Sequence, residues 1–125
     1  MLTGVTQADG LLRSAEVAFV GALVHRFPVL LPLLQEHLDD YDGLLPHVFL
    51  GDVTRWVLGH IESPADSEVG AVLVFFEACF AQGGEHEREL ISVSFLEYLP
   101  RRGEPGAALR DQLGPDLLRQ LDQIG

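Results

Sequence analysis

Lysine and asparagine are absent from this 125-residue chain. All eight basic residues are arginine: Arg13, Arg26, Arg55, Arg88, Arg101, Arg102, Arg110 and Arg119. Both missing residues have A-rich codons, so their absence points to a GC-rich bacterial coding sequence. Positive charge is scarce altogether: 19 acidic residues face 8 basic ones, for a formal charge of −11. Nucleic acid is excluded as a partner, because its affinity comes mainly from phosphate neutralisation. An anionic membrane surface is disfavoured on the same ground. A basic protein partner is allowed, and so is plain solubility as the whole meaning of the charge.

Cysteine occurs once, at Cys79, which excludes an internal disulfide and fits a reducing compartment. The start, Met1-Leu2-Thr3-Gly4, lacks the basic-then-apolar pattern of a signal peptide. No apolar run approaches the roughly 18 residues that a membrane span needs. The cytoplasm is the expected compartment. Signatures of chemistry are missing too: no H-E-x-x-H, no G-x-S-x-G and no phosphate cradle. The five histidines, His25, His37, His47, His60 and His86, have no metal-ligand spacing. No metal, cofactor or catalytic residue is therefore expected, and the chain does not read as an enzyme.

What is present is a helical pattern in a leucine-rich chain that is 47% hydrophobic. The length suits a single domain over residues 1–125 that needs neither metal nor disulfide to hold its core. The first ten residues, polar and glycine-containing, read as a loose lead-in. A helix over about 11–26 gathers Leu12, Phe19, Val20, Leu23 and Val24 on one face and stops at Pro28. A second begins near Pro32, carries Leu33, Leu34 and Leu38, and ends in Asp39-Asp40-Tyr41-Asp42-Gly43. A third runs from about Pro46 to Ile61. Its apolar face holds Phe49, Val53, Trp56, Val57, His60 and Ile61, opposite Asp52, Arg55, Gly59 and Glu62. His60 is thus expected as a core histidine.

Ser63-Pro64-Ala65-Asp66 reads as a turn with an N-cap for a fourth helix over about 67–82. That helix points Val69, Val72, Leu73, Phe76, Cys79 and Phe80 inward, where the thiol should stay protonated and inert. Gly83-Gly84 ends it. A fifth helix, about 85–99, is apolar over most of its circumference and so central. His86, Ser94 and Glu97 form a strip on it that is either solvated or faces Arg55. After the breaker-rich segment 100–106, two short helices follow, over about 107–113 and 115–124. The expectation is all-α: five to seven helices stacked as antiparallel hairpins in one compact bundle.

The acidic end of the second helix opposes the helix dipole. Residues that work against local stability are often kept for another purpose. Glu36, Asp39, Asp40, Tyr41 and Asp42, with the Asp52 and Arg55 pair on the third helix, are therefore the candidate partner-binding residues.

Leu44 to Trp56, Leu90-Ile91-Ser92-Val93-Ser94-Phe95-Leu96-Glu97-Tyr98-Leu99 and Leu113-Gly114-Pro115-Asp116-Leu117-Leu118 together resemble a family of small, uncharacterised bacterial all-helical proteins. Its members have the look of immunity proteins encoded beside polymorphic toxins. The resemblance covers most of the chain from about Phe27 onward and brings no catalytic residues with it. It implies a protein-binding module that inhibits by occluding a basic partner. A second reading is a small enzyme or ligand-binding protein with a pocket near Trp56, His60 and Glu97. A third is a homo-oligomeric structural protein, a homodimer in its simplest form.

Overall fold

Among the described residues, proline and glycine punctuate six α-helices. They are α1 (Thr3–Arg26), α2 (Leu31–Tyr41), α3 (Pro46–His60), α4 (Ser67–Gln82), α5 (Glu85–Ser94) and α6 (Pro115–Ile124). Short 3-10 turns at Pro28–Leu30, Leu96–Tyr98 and Ala107–Gln112 join or extend them. A computed structural model describes residues 3–60 and 67–124, with side chains for 14–60 and 68–124. The expected turn and N-cap at 63–66, the ends of the third helix at Ile61 and Glu62, and the side chain of Leu12 lie outside the described residues. Among the described residues there is no strand, and the all-helical expectation holds.

Residues 3–10, expected as part of a loose lead-in, are helical: α1 begins at Thr3. The stretch contains no proline, and isolated glycines at Gly4 and Gly10 cost only about 1 kcal/mol each in a helix. Pro28 stops α1 as expected. It has no N–H to donate and pushes the residue before it out of the helical region, and Phe27 accordingly sits at φ −125°, ψ 80°. The corner turns the chain by 111° between Ser14–Arg26 and Pro28–Tyr41. No single helix among the described residues is long and apolar enough to cross a membrane.

The core is aromatic at its centre. Phe49 of α3, Phe76 of α4 and Phe95 after α5 are fully buried, and the Phe76 and Phe95 rings meet edge-on at 4.9 Å. Leu23, Leu30, Leu50, Leu73, Leu90, Ile91 and Leu117 fill the space around them. Each such side chain contributes roughly 1.5–3 kcal/mol through removal from water. α5 packs against α1, α3 and α4 and so occupies the middle of the bundle.

α5 ends at Ser94 rather than near Leu99. A continuous α-helix would bring Tyr98 round to the face of Leu90, Ile91 and Ser94. The 3-10 turn rewinds the chain so that Leu96 and Leu99, three apart and therefore aligned in a 3-10 helix, are buried instead. Tyr98 is left in solvent at 66% exposure.

Candidate functional site

α2 is amphipathic, with Leu33 and Leu34 packed against the core and His37 buried. It ends where Asp42 takes the left-handed conformation, φ 53° and ψ 40°. Pro46 then opens α3, so the link is short and the two helices pack as neighbours. His37 fastens that link. The Leu45 N–H donates to His37 Nε2 at 3.0 Å across eight residues. A neutral ring that accepts at Nε2 carries its proton on Nδ1.

That Nδ1–H is buried and has no hydrogen-bond partner. The Asp52 carboxylate Oδ2 lies 3.9 Å away, beyond hydrogen-bond range. Asp52 is held by Arg55, one turn further along α3. A buried donor left without an acceptor costs about 1–3 kcal/mol. The ring is otherwise well packed, 4.9 Å from Tyr41 and 5.6 Å from Phe49.

His37 forms the floor of a cleft of about 520 Å³ between α2 and α3. Glu36 and Asp40 from α2 and Asp52 from α3 supply three carboxylates. Arg55 supplies one guanidinium, and Leu33, Tyr41 and Trp56 supply the apolar surface. With a neutral His37 the lining is net negative by two charges. Five of the seven sequence-derived candidates, Glu36, Asp40, Tyr41, Asp52 and Arg55, therefore share one cavity.

Asp39 and Asp42 do not line it. Asp39 accepts from Gln35 on the exposed face of α2, at 3.2 Å, and Asp42 is the exposed helix cap. His37, which completes the site, was missed. Its phase with Leu33 and Leu34 marked it as inward-facing, but its partner Leu45 N–H lies in a link that periodicity does not describe.

Of the three residues near which a pocket was expected, Trp56 lines the α2–α3 cleft, and Glu97 is exposed on the turn after α5. His60 is not a core histidine. It is exposed in the last turn of α3, stacked 5.0 Å from Trp56, with Nδ1 2.8 Å from the Trp56 carbonyl. The buried face of α3 is Phe49, Leu50, Val53, Thr54 and Val57, with Trp56 and His60 at its Phe49 edge.

A second constellation ties three helices together. Ser94 Oγ of α5 lies 2.6 Å from His47 Nδ1 of α3, and His47 Nε2 lies 3.0 Å from Glu16 Oε2 of α1. The order serine–histidine–carboxylate is that of an acyl-transfer triad. The surroundings are not. Ser94 is 2% exposed and ends its helix, where carbonyls rather than N–H donors gather, so no oxyanion site faces it. Its own carbonyl accepts from Thr54 Oγ1 at 3.0 Å. A hollow of about 390 Å³ borders Glu16 and His47, but Ser94 does not line it. The string is a brace between α1, α3 and α5.

Among the described residues no three His, Cys, Asp or Glu side chains group closely enough to hold a metal ion. Cys79 is half-buried, and burial followed by the nearby Glu87 charge pushes its thiol above the ordinary range.

Fold and cleft define a small all-helical bundle with an acid-lined, aromatic-walled groove between consecutive helices. The chain belongs to the family described as Domain of unknown function (DUF7674), whose model matches residues 20–124. No curated protein and no solved structure shows significant similarity to it.

Proposed function

We propose that the chain is a protein-binding module whose α2–α3 face receives a basic segment of its partner, in the manner of an immunity protein that inhibits by occlusion. The observation that carries this reading is the cleft: three carboxylates beside a tryptophan and a tyrosine, above a buried histidine. Carboxylates attract a cationic side chain, and aromatic faces hold it. The formal charge of −11 extends that attraction over the whole surface and speeds encounter with a basic partner.

The test is quantitative co-purification from the native host with two baits, the wild-type chain and a Glu36→Gln/Asp40→Asn/Asp52→Asn variant. The reading requires a basic protein that is enriched on the first bait and lost from the second. Identical protein sets on both baits would contradict it.

A further inference from the structure

α4 turns to solvent a face that has no local reason to be apolar. Across 69–84 the sequence carries one charge, Glu77, and that carboxylate is bound to the start of α6. Val74, in the middle of the helix, is 69% exposed, with Ala71, Ala78 and Ala81 exposed on the turns around it. Glutamate or arginine would make a better helix former at such a position than β-branched valine. α1 continues the face. Residues 17–24 carry no charge, and Ala18 and Ala22 border an open groove of about 380 Å³ shared with Phe75 and Ala78 of α4. In a chain of formal charge −11, this surface lets a second acidic molecule approach at little electrostatic cost.

The ends of the face are charged, and oppositely. Phe27, just after α1, meets Phe75 at 5.7 Å, whereas Ala18 shares the groove with Gln82 and Glu87, so α1 and α4 run antiparallel. At one end Arg26 holds its guanidinium over the Phe27 ring, 5.7 Å from the centroid. At the other, Glu87 lines the groove. A two-fold axis lying in the face and running across the helices reverses their direction and keeps α4 over α4. It sets Arg26 of each copy against Glu87 of the other, and every such contact occurs twice. At the centre it stacks Val74 on the small Ala78 of the opposite helix. A parallel pairing would bring like charges together at both ends.

We infer that the α1–α4 face is the interface of an antiparallel homodimer, closed at its centre by Val74 and registered at its ends by Arg26 and Glu87. The face is one length of α4, about 24 Å, by two helix widths, roughly 20 Å, which is the small end of specific interfaces. The inference is independent of the basic-partner reading, since none of these residues lines the α2–α3 cleft.

Sedimentation velocity over about 1–300 μM protein tests it, and the wild-type chain is expected to pass from monomer to dimer within that range. Val74→Glu puts a carboxylate at the centre of the contact and should weaken dimerisation at least about tenfold. Circular dichroism checks that the variant folds; should it not, the charge exchanges still decide. Arg26→Glu and Glu87→Arg should each weaken the dimer about threefold or more, and the double exchange should return to within about twofold of wild type. A monomer at every concentration, or a dimer indifferent to Val74→Glu and to both single exchanges, would overturn the interface. Weakening by the single exchanges without recovery in the double one would overturn the antiparallel register. A monomeric chain that loses a different host protein on Val74→Glu would overturn the homodimer in favour of that partner.

Discussion

Glu77 of α4 caps α6 across some forty residues of chain: its two carboxylate oxygens accept from the Asp116 and Leu117 N–H groups, each at 3.0 Å. These are orphan donors of a helix N-terminus, and the carboxylate also lies at the positive end of the dipole. Gly114 makes the approach possible, because a Cβ there would lie 2.5 Å from the Glu77 side chain. Glu77→Ala should lower stability by about 1–2 kcal/mol, as loss of a helix cap does. Gly114→Ala should act through the same contact by displacing the carboxylate. The two changes should combine to less than their sum in a denaturant-midpoint cycle. Full additivity would mean that Gly114 acts through its backbone alone.

Asp42 is the one non-glycine residue at positive φ among the described residues, and it carries negative charge at the C-terminal end of α2. Both features cost stability. Asp42→Gly should raise stability by up to about 1 kcal/mol, and Asp42→Asn by less. Changing Glu36, Asp39, Asp40 and Asp42 together to their amides should leave the thermal midpoint unchanged or slightly higher. Calorimetry checks both, and a clear loss of stability would show that these carboxylates hold the fold rather than serve a partner.

Ser94 should be chemically inert despite its contact with His47. A fluorophosphonate probe is expected to leave it unlabelled in the native protein. Ser94→Ala should lower stability by about 1 kcal/mol through loss of the brace. Covalent labelling at Ser94 would contradict the structural reading and reopen an enzymatic one.

Cys79 should alkylate slowly near pH 8 in the folded chain and fast in denaturant, because burial and then Glu87 raise its pKa. The sign for stability follows. The folded thiol resists ionisation, so its contribution is complete below the pKa of an unfolded thiol, about 8.5. It falls as pH rises past that value toward the folded one. Rapid native alkylation with no dependence on denaturant would contradict this.

Element boundaries were legible where proline and glycine punctuate the chain. Pro46 and Pro115 open α3 and α6, and Gly83-Gly84 closes α4, all where the pattern placed them. The end of α5 was not legible, because Phe95 to Leu99 contains no breaker and only the tertiary demand to bury Leu96 and Leu99 forces the rewind. The cleft was legible in its acids, which stand out at a helix end. It was illegible in His37 and in the Glu16–His47–Ser94 brace, since those contacts join side chains by distance rather than by period. His60 was misplaced for a related reason. Its phase matches Phe49, but it falls on the last turn of α3, where it bonds its own helix.

The most direct test of the central claim is an amide and indole chemical-shift map of the chain titrated with Ac-Gly-Arg-Gly-NH2. Saturable shifts should centre on Glu36, His37, Asp40, Tyr41, Asp52 and the Trp56 indole. They should leave the other acidic surface, Glu85, Glu87 and Glu89 at the start of α5, unmoved. Shifts centred on that α5 surface, or spread evenly over all the carboxylates of the chain, would contradict the assignment of the α2–α3 cleft as the binding site.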